Sequence, residues 1–92
     1  MTRKQDAMYR LQMLSKRERE ILHYLLVGQT NKQTATQLCI SPRTVENHRA
    51  KIFKKLEADG ATACMSIVLQ ANGMRLDRLT IVPDEDQDSA SA

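Results

Sequence analysis

The sequence predicts an all-α fold: a bundle of four short helices followed by a flexible acidic tail. Three observations predict it. Between Leu14 and Ala71 the apolar residues recur at spacings of three and four, the period of a helix with one buried face. Helix-starting residues (Ser15, Thr30, Ser41) and helix-stopping glycines (Gly28, Gly60, Gly73) punctuate that stretch. Beyond Pro83 the chain reads DEDQDSASA, acidic and without a bulky apolar side chain, a composition that cannot bury enough surface to order itself. No segment shows a convincing strand pattern.

Residues 1–13 form a polar extension with Met8, Leu11 and Leu14 at helical spacing, consistent with a frayed helix or with the end of a linker. The domain proper spans 14–73 and the tail 74–92. Ser15-Lys16-Arg17-Glu18 reads as a capping box, with Ser15 accepting from a free backbone N–H and Glu18 reaching back. Ile21, Leu22, Leu25 and Leu26 then form one stripe, and Gly28 ends a helix over about 16–27. The charged run 16–20 is expected to be a solvated face. Thr30-Asn31-Lys32-Gln33 repeats the capping pattern and opens a short helix carrying Ala35 and Leu38. Ser41 as N-cap and Pro42 at the first helical position, where its missing N–H is harmless, open a third helix to about Leu56. Val45, Ile52 and Leu56 lie on its inner face. A fourth helix, about 61–72, has an unusually wide apolar surface: Cys64, Ile67 and Ala71 on one flank, Met65, Val68 and Leu69 on the other. Two apolar faces imply two partners, the domain's own core and something outside it.

Composition limits the function. The chain carries +3 overall, but residues 1–75 hold 13 Lys and Arg against 6 Asp and Glu, while 76–92 are net −4. A basic body points to an anionic partner. Three aromatic residues, Tyr9, Tyr24 and Phe53, are too few for a base-stacking platform on single strands. Cys39 and Cys64 form no CxxC pair, so neither a zinc cluster nor a disulfide framework is expected, and both read as small buried hydrophobes. No apolar run reaches the roughly 20 residues that span a membrane, so a cytoplasmic, nucleoid-associated protein is the expectation. With no catalytic constellation, metal set, cofactor motif or small-molecule pocket signalled, an enzyme is the least favoured class.

The stretch 31–52, NKQTATQLCISPRTVENHRAKI, is the most informative. A short helix, a tight turn and a longer helix must cross closely, which calls for a small residue in the first helix (Ala35), apolar residues around the turn (Leu38, Ile40) and an inward β-branched residue early in the second (Val45). At about 100° per residue, His48, Arg49, Ile52 and Leu56 cluster around Val45. Arg43, Asn47, Ala50 and Lys54 lie opposite, flanked by Glu46 and Lys51. Such a polar outer face with one small residue suits entry into a DNA major groove. Glu46, Asn47, Ala50 and Lys51 are the candidate base readers. Thr30, Asn31 and Lys32 at one helix start, Ser41, Arg43 and Thr44 at the next, and Lys54 and Lys55 beyond are the candidate phosphate contacts. His48, on the inner edge, reads as a structural histidine touching a phosphate.

Residues 14–56 resemble the LuxR-type (FixJ/NarL-type) helix-turn-helix domain of bacterial regulators. The motifs that carry the likeness are Leu14-Ser15 with Arg17-Glu18, Gly28, Asn31-Lys32, Ala35, Leu38, Ile40-Ser41, Thr44-Val45, His48, Ile52 and Lys55-Leu56. The resemblance implies sequence-specific binding of double-stranded DNA in transcriptional regulation, a third helix that reads bases, and a homodimer through the fourth. The dimer face would then comprise Cys64, Met65, Ile67, Val68 and Ala71. Two departures stand out: Thr34 replaces an aliphatic residue before Ala35, implying looser packing, and Gly60-Ala61 replaces a polar residue and Arg, implying a weaker cap. Two rivals remain open. One is a protein-interaction module, an adaptor or anti-regulator without DNA affinity, which Glu46 and the acidic tail favour. The other is a sigma-like monomer working beside RNA polymerase.

Overall fold

The computed structural model describes residues 2–73; the predicted acidic tail, 74–92, lies outside the described residues. The described chain is entirely helical: α1 (Arg3–Gln12), α2 (Lys16–Leu26), α3 (Asn31–Leu38), α4 (Pro42–Leu56) and α5 (Ala61–Ala71). The all-α expectation holds, with one more helix than the four predicted.

The extra helix is the N-terminal segment. It starts on a capping box of its own: Thr2 Oγ1 accepts from the Gln5 amide at 3.1 Å, and Gln5 Oε1 accepts from the Thr2 amide at 2.9 Å. Ala7 and Leu11, one turn apart, are buried, while Met8 is only partly covered. The helix packs along α5 and belongs to the bundle.

The remaining elements begin and end much as the sequence predicts. Ser15 and Glu18 form the capping box of α2, and Thr30 and Gln33 that of α3. Ser41 caps α4 with Pro42 in its first turn. Gly28 closes α2 at φ +89°, in the left-handed region that glycine adopts without a Cβ penalty. The α5 start on Gly60 has no side-chain cap, as its sequence implied. The interior is one cluster built from Leu11, Leu14, Ile21, Leu22, Val45, Ile52, Leu56 and Val68.

Three expectations are corrected. Cys64, Val68 and Ala71 of the expected dimer face are 0%, 2% and 2% exposed, because α1 packs along α5, which α2 and α4 also contact. Much of the apolar surface that suggested an outside partner is thus covered from within the chain, leaving Met65 and Ile67 half-buried. Glu18, placed on a solvated face, is 3% exposed. Cys39 is exposed, not buried, and ends α3 in the left-handed region at φ +59°. Thr34 does lie in the core, at 2% exposed. Cys64 fits the small-hydrophobe reading: burial pushes its thiol up to about 11, against a weaker downward pull from the Arg49 charge.

Candidate nucleic-acid interface

α3 and α4 cross closely because Ala35, at 3% exposed, offers almost no side chain at the contact, and Val45 fills the space opposite. Leu38 and Ile40 flank the turn, partly buried against the core. With Val45, Ile52 and Leu56 directed inward, the opposite face of α4 is solvent. Arg43, Glu46, Asn47, Ala50, Lys51 and Lys54 are all exposed, a continuous surface along the helix. It carries three cations and one acid, and Glu46 pairs with no Arg or Lys among the described residues.

The two helix starts beside this face differ. At α3, the Thr30 hydroxyl takes the Gln33 amide at 3.0 Å and the Gln33 side chain takes the Thr30 amide at 2.9 Å. Helix geometry leaves the amides of Asn31 and Lys32 without an intrahelical acceptor, so two N–H groups remain for an anion. At α4, Pro42 has no N–H and Ser41 Oγ takes the Thr44 amide at 3.0 Å, which leaves the amides of Ser41 and Arg43. Ser41 Oγ and Thr44 Oγ1 lie 2.9 Å apart. One of the two hydroxyl protons is spent on that contact, and the other stays available to donate. Each start therefore keeps two open main-chain donors, and they differ in that the reciprocal cap is closed only at α3.

Three side chains have roles that sequence reasoning missed. Lys55, expected on phosphate, is partly exposed and turns instead toward α2, where its ammonium donates to Glu18 Oε1 at 2.7 Å, and to the Met13 carbonyl at 3.3 Å. The physical reason is Glu18: a carboxylate at 3% exposed needs a countercharge, and Lys55 on the last turn of α4 is within reach. Glu18 also accepts from the Ser15 amide at 2.8 Å. Burial works to raise its pKa, but the Lys55 and Ser15 contacts together prevail, and the carboxyl lies below its usual 4.5. Arg49 extends to α3, donating to Asn31 Oδ1 at 2.6 Å with its guanidinium 5.9 Å from the Phe53 ring centre. A signal existed: a cation that shares the Val45 side of α4 must find a partner or water. His48 is half-buried, as the inner-edge placement implied.

Among the described residues no group of His, Cys, Asp and Glu is placed to hold a metal ion, and no helix is long and apolar enough to cross a membrane.

The sequence profile of the family described as bacterial regulatory proteins, luxR family, matches residues 12–68, more than half of the chain. A 53-residue stretch is 51% identical to the transcriptional regulatory protein FixJ of Rhizobium meliloti (strain 1021), covering 58% of this chain and 26% of that protein. The response regulator protein TmoT of Ectopseudomonas mendocina is 52% identical over 44 residues, 48% of this chain and 20% of that protein. The spore germination protein GerE of Bacillus subtilis (strain 168) is 34% identical over 64 residues, covering 70% of this chain and 86% of that protein. The chain thus spans only a minor part of the length of FixJ and TmoT but most of GerE. No solved structure matches. With its α3–turn–α4 unit inside the matched residues, the chain belongs to the luxR family of bacterial regulatory proteins.

Proposed function

We propose that this domain binds double-stranded DNA sequence-specifically in transcriptional regulation, with α4 (42–56) in the major groove. The observation that carries the reading is the exposed polar face of α4, six consecutive outward positions with Ala50 at the middle, beside the open amides of α3. In this reading Asn47 bonds adenine, Lys51 guanine, and Glu46, paired with no cation among the described residues, accepts from cytosine N4. Ala50 permits close approach. Thr30, Asn31, Lys32, Ser41, Arg43, Thr44 and Lys54 position the domain on phosphates, with His48 at the edge. Lys55 is left out, since its charge is committed to Glu18. The domain acts as a homodimer on a partly palindromic site, and an α5 contact between copies would use Met65 and Ile67, because Cys64, Val68 and Ala71 are already buried within the chain.

The test is a fluorescence-anisotropy titration of random duplex DNA at about 50 and about 200 mM salt. Binding is expected to weaken steeply with salt, as phosphate-driven binding must. Lys32→Ala should reduce the salt slope by about one. Asn47→Ala should leave random-duplex binding intact while lowering discrimination at a selected site by about 1–3 kcal/mol. Absence of binding at low salt would overturn the proposal and favour docking to a protein partner, which apolar contacts would make nearly salt-independent.

A further inference from the structure

We infer that Arg49 is a positioning residue for the phosphate contact: it holds the Asn31 amide so that the Asn31 N–H₂ group is presented at the start of α3. The inference rests on the DNA-binding reading and adds to it a residue that does not lie on the reading face.

Arg49 comes from the inner side of α4, near the Val45 direction, and is half-buried. Its Nη1 donates to Asn31 Oδ1 at 2.6 Å, a short charge-assisted bond between residues 18 positions apart. The Phe53 ring, 5.9 Å from the guanidinium, gives the cation a second contact. A guanidinium has only donors, so an Asn beside it must present its oxygen. The flipped amide would set N–H₂ against N–H. With the oxygen fixed, the planar amide turns its N–H₂ away from Arg49, and Asn31 Nδ2 donates to no protein atom among the described residues. Those two donors sit at the first position of α3, alongside the open amides of Asn31 and Lys32. All seek an acceptor, and a phosphate oxygen supplies one.

The same bond ties the start of α3 to the middle of α4, beside Ala50 and two positions from Asn47. It thereby sets the offset between the phosphate anchor and the base readers. An error in that offset would misplace α4 in the groove, so a fixed link is of direct use to recognition.

A double-mutant cycle on random-duplex affinity tests this, with urea denaturation run alongside to confirm folding. Asn31→Ala and Arg49→Met are each expected to weaken binding about tenfold, the change for one hydrogen bond to a charged group. If Arg49 acts through Asn31, the double variant should bind within about threefold of the weaker single variant. Losses that multiply to about a hundredfold would make the two residues independent contacts and overturn the inference. Asn31→Asp keeps the acceptor for Arg49 and the fold, but loses the N–H₂ and turns a carboxylate toward phosphate. It should bind more weakly than Asn31→Ala, and wild-type affinity would overturn the inference. Wild-type protein that fails to bind at all would sink the DNA reading itself, whereas a binding wild type with multiplying losses sinks only the role of Arg49.

Discussion

Between α3 and α4 the polar link across the pair is Arg49 to Asn31, and each of the two helix starts is capped by its own hydroxyl. Between α1 and α5 the contact is apolar and built from small or slender side chains, Ala7 and Leu11 facing a helix that buries Cys64, Val68 and Ala71. The first arrangement orients hydrogen-bonding groups beside an exposed face. The second supplies core to a chain too short to have much of it. The two sides meet at the C-terminal end of α4. Arg10 of α1 donates to the Leu56 carbonyl at 3.0 Å, and Lys55 donates to the Met13 carbonyl. An orphan carbonyl at a helix end is thus satisfied by a cation, favourable for the hydrogen bond and for the helix dipole. The difference teaches that α4 can present an open surface on one side because the far end is held from the other.

The sharpest way to break this comparison is Leu11→Ala. Leu11 is fully buried in α1, and its truncation is expected to lower unfolding stability by about 2–5 kcal/mol in urea titrations. The affinity of the folded protein for random duplex should stay unchanged, because Leu11 is remote from the α4 outer face. A loss below about 1 kcal/mol would mean that α1 contributes little to the core and that the comparison is wrong.

A smaller effect is expected at the junction of the two sides, from Lys55→Met. It leaves the Glu18 carboxylate buried without its cation, and the loss at neutral pH should be about 1–3 kcal/mol, below that of a fully buried pair because Lys55 is 36% exposed. The sign with pH follows from the lowered pKa of Glu18. A carboxyl that is more acidic folded than unfolded contributes stability above its ordinary 4.5, and that contribution disappears as pH falls through the folded value. In the variant, burial acts on Glu18 without Lys55 to oppose it, so the contribution shrinks or reverses. The gap between wild type and variant in urea titrations should therefore be wide at pH 7 and narrow at pH 3. An equal gap at both would assign the loss to something other than this pair.

These two sides were not equally legible in the sequence. The α2–α4 region announces itself through local rules: capping boxes at Ser15 and Thr30, Pro42 after Ser41, Gly28 at the stop, and a helical period that separates Val45 from Asn47. The polar face of α4 follows from that period alone. What local rules do not contain is the partner of each face. The box at Thr2 and Gln5 was there to be seen, but a short polar segment shows no tertiary partner, so 1–13 read as an extension. The breadth of the apolar surface on α5 was visible, whereas its coverage by α1 was not. Lys55 reads like its neighbour Lys54 until Glu18, 37 positions away, is known to be buried. Cys39 looks like a core residue in an apolar turn, yet the end of α3 needs a left-handed residue there, which points its side chain to solvent.

The smallest expected effect sharpens the comparison at the helix starts themselves. α2, α3 and α4 each begin under a Ser or Thr hydroxyl, while α5 begins on Gly60 with no side-chain cap. Nothing about the backbone requires that glycine. Its φ of 173° is extended, a conformation any residue adopts, and a Cβ built there meets no atom within 4 Å. The Gly60 carbonyl already accepts from the Cys64 amide at 3.1 Å, so the first intrahelical bond is in place. Gly60→Ser adds a hydroxyl able to take the third amide of α5, as Ser15, Thr30 and Ser41 do for their helices, and it narrows the conformational freedom of the unfolded chain. Both terms favour the folded state, and a gain of about 0.5 kcal/mol in urea denaturation is expected, with DNA affinity unaltered. A loss of stability instead would mean that α5 needs an uncapped start, and that the contrast between the two sides begins with the packing of α5 on α1 and not with its missing hydroxyl.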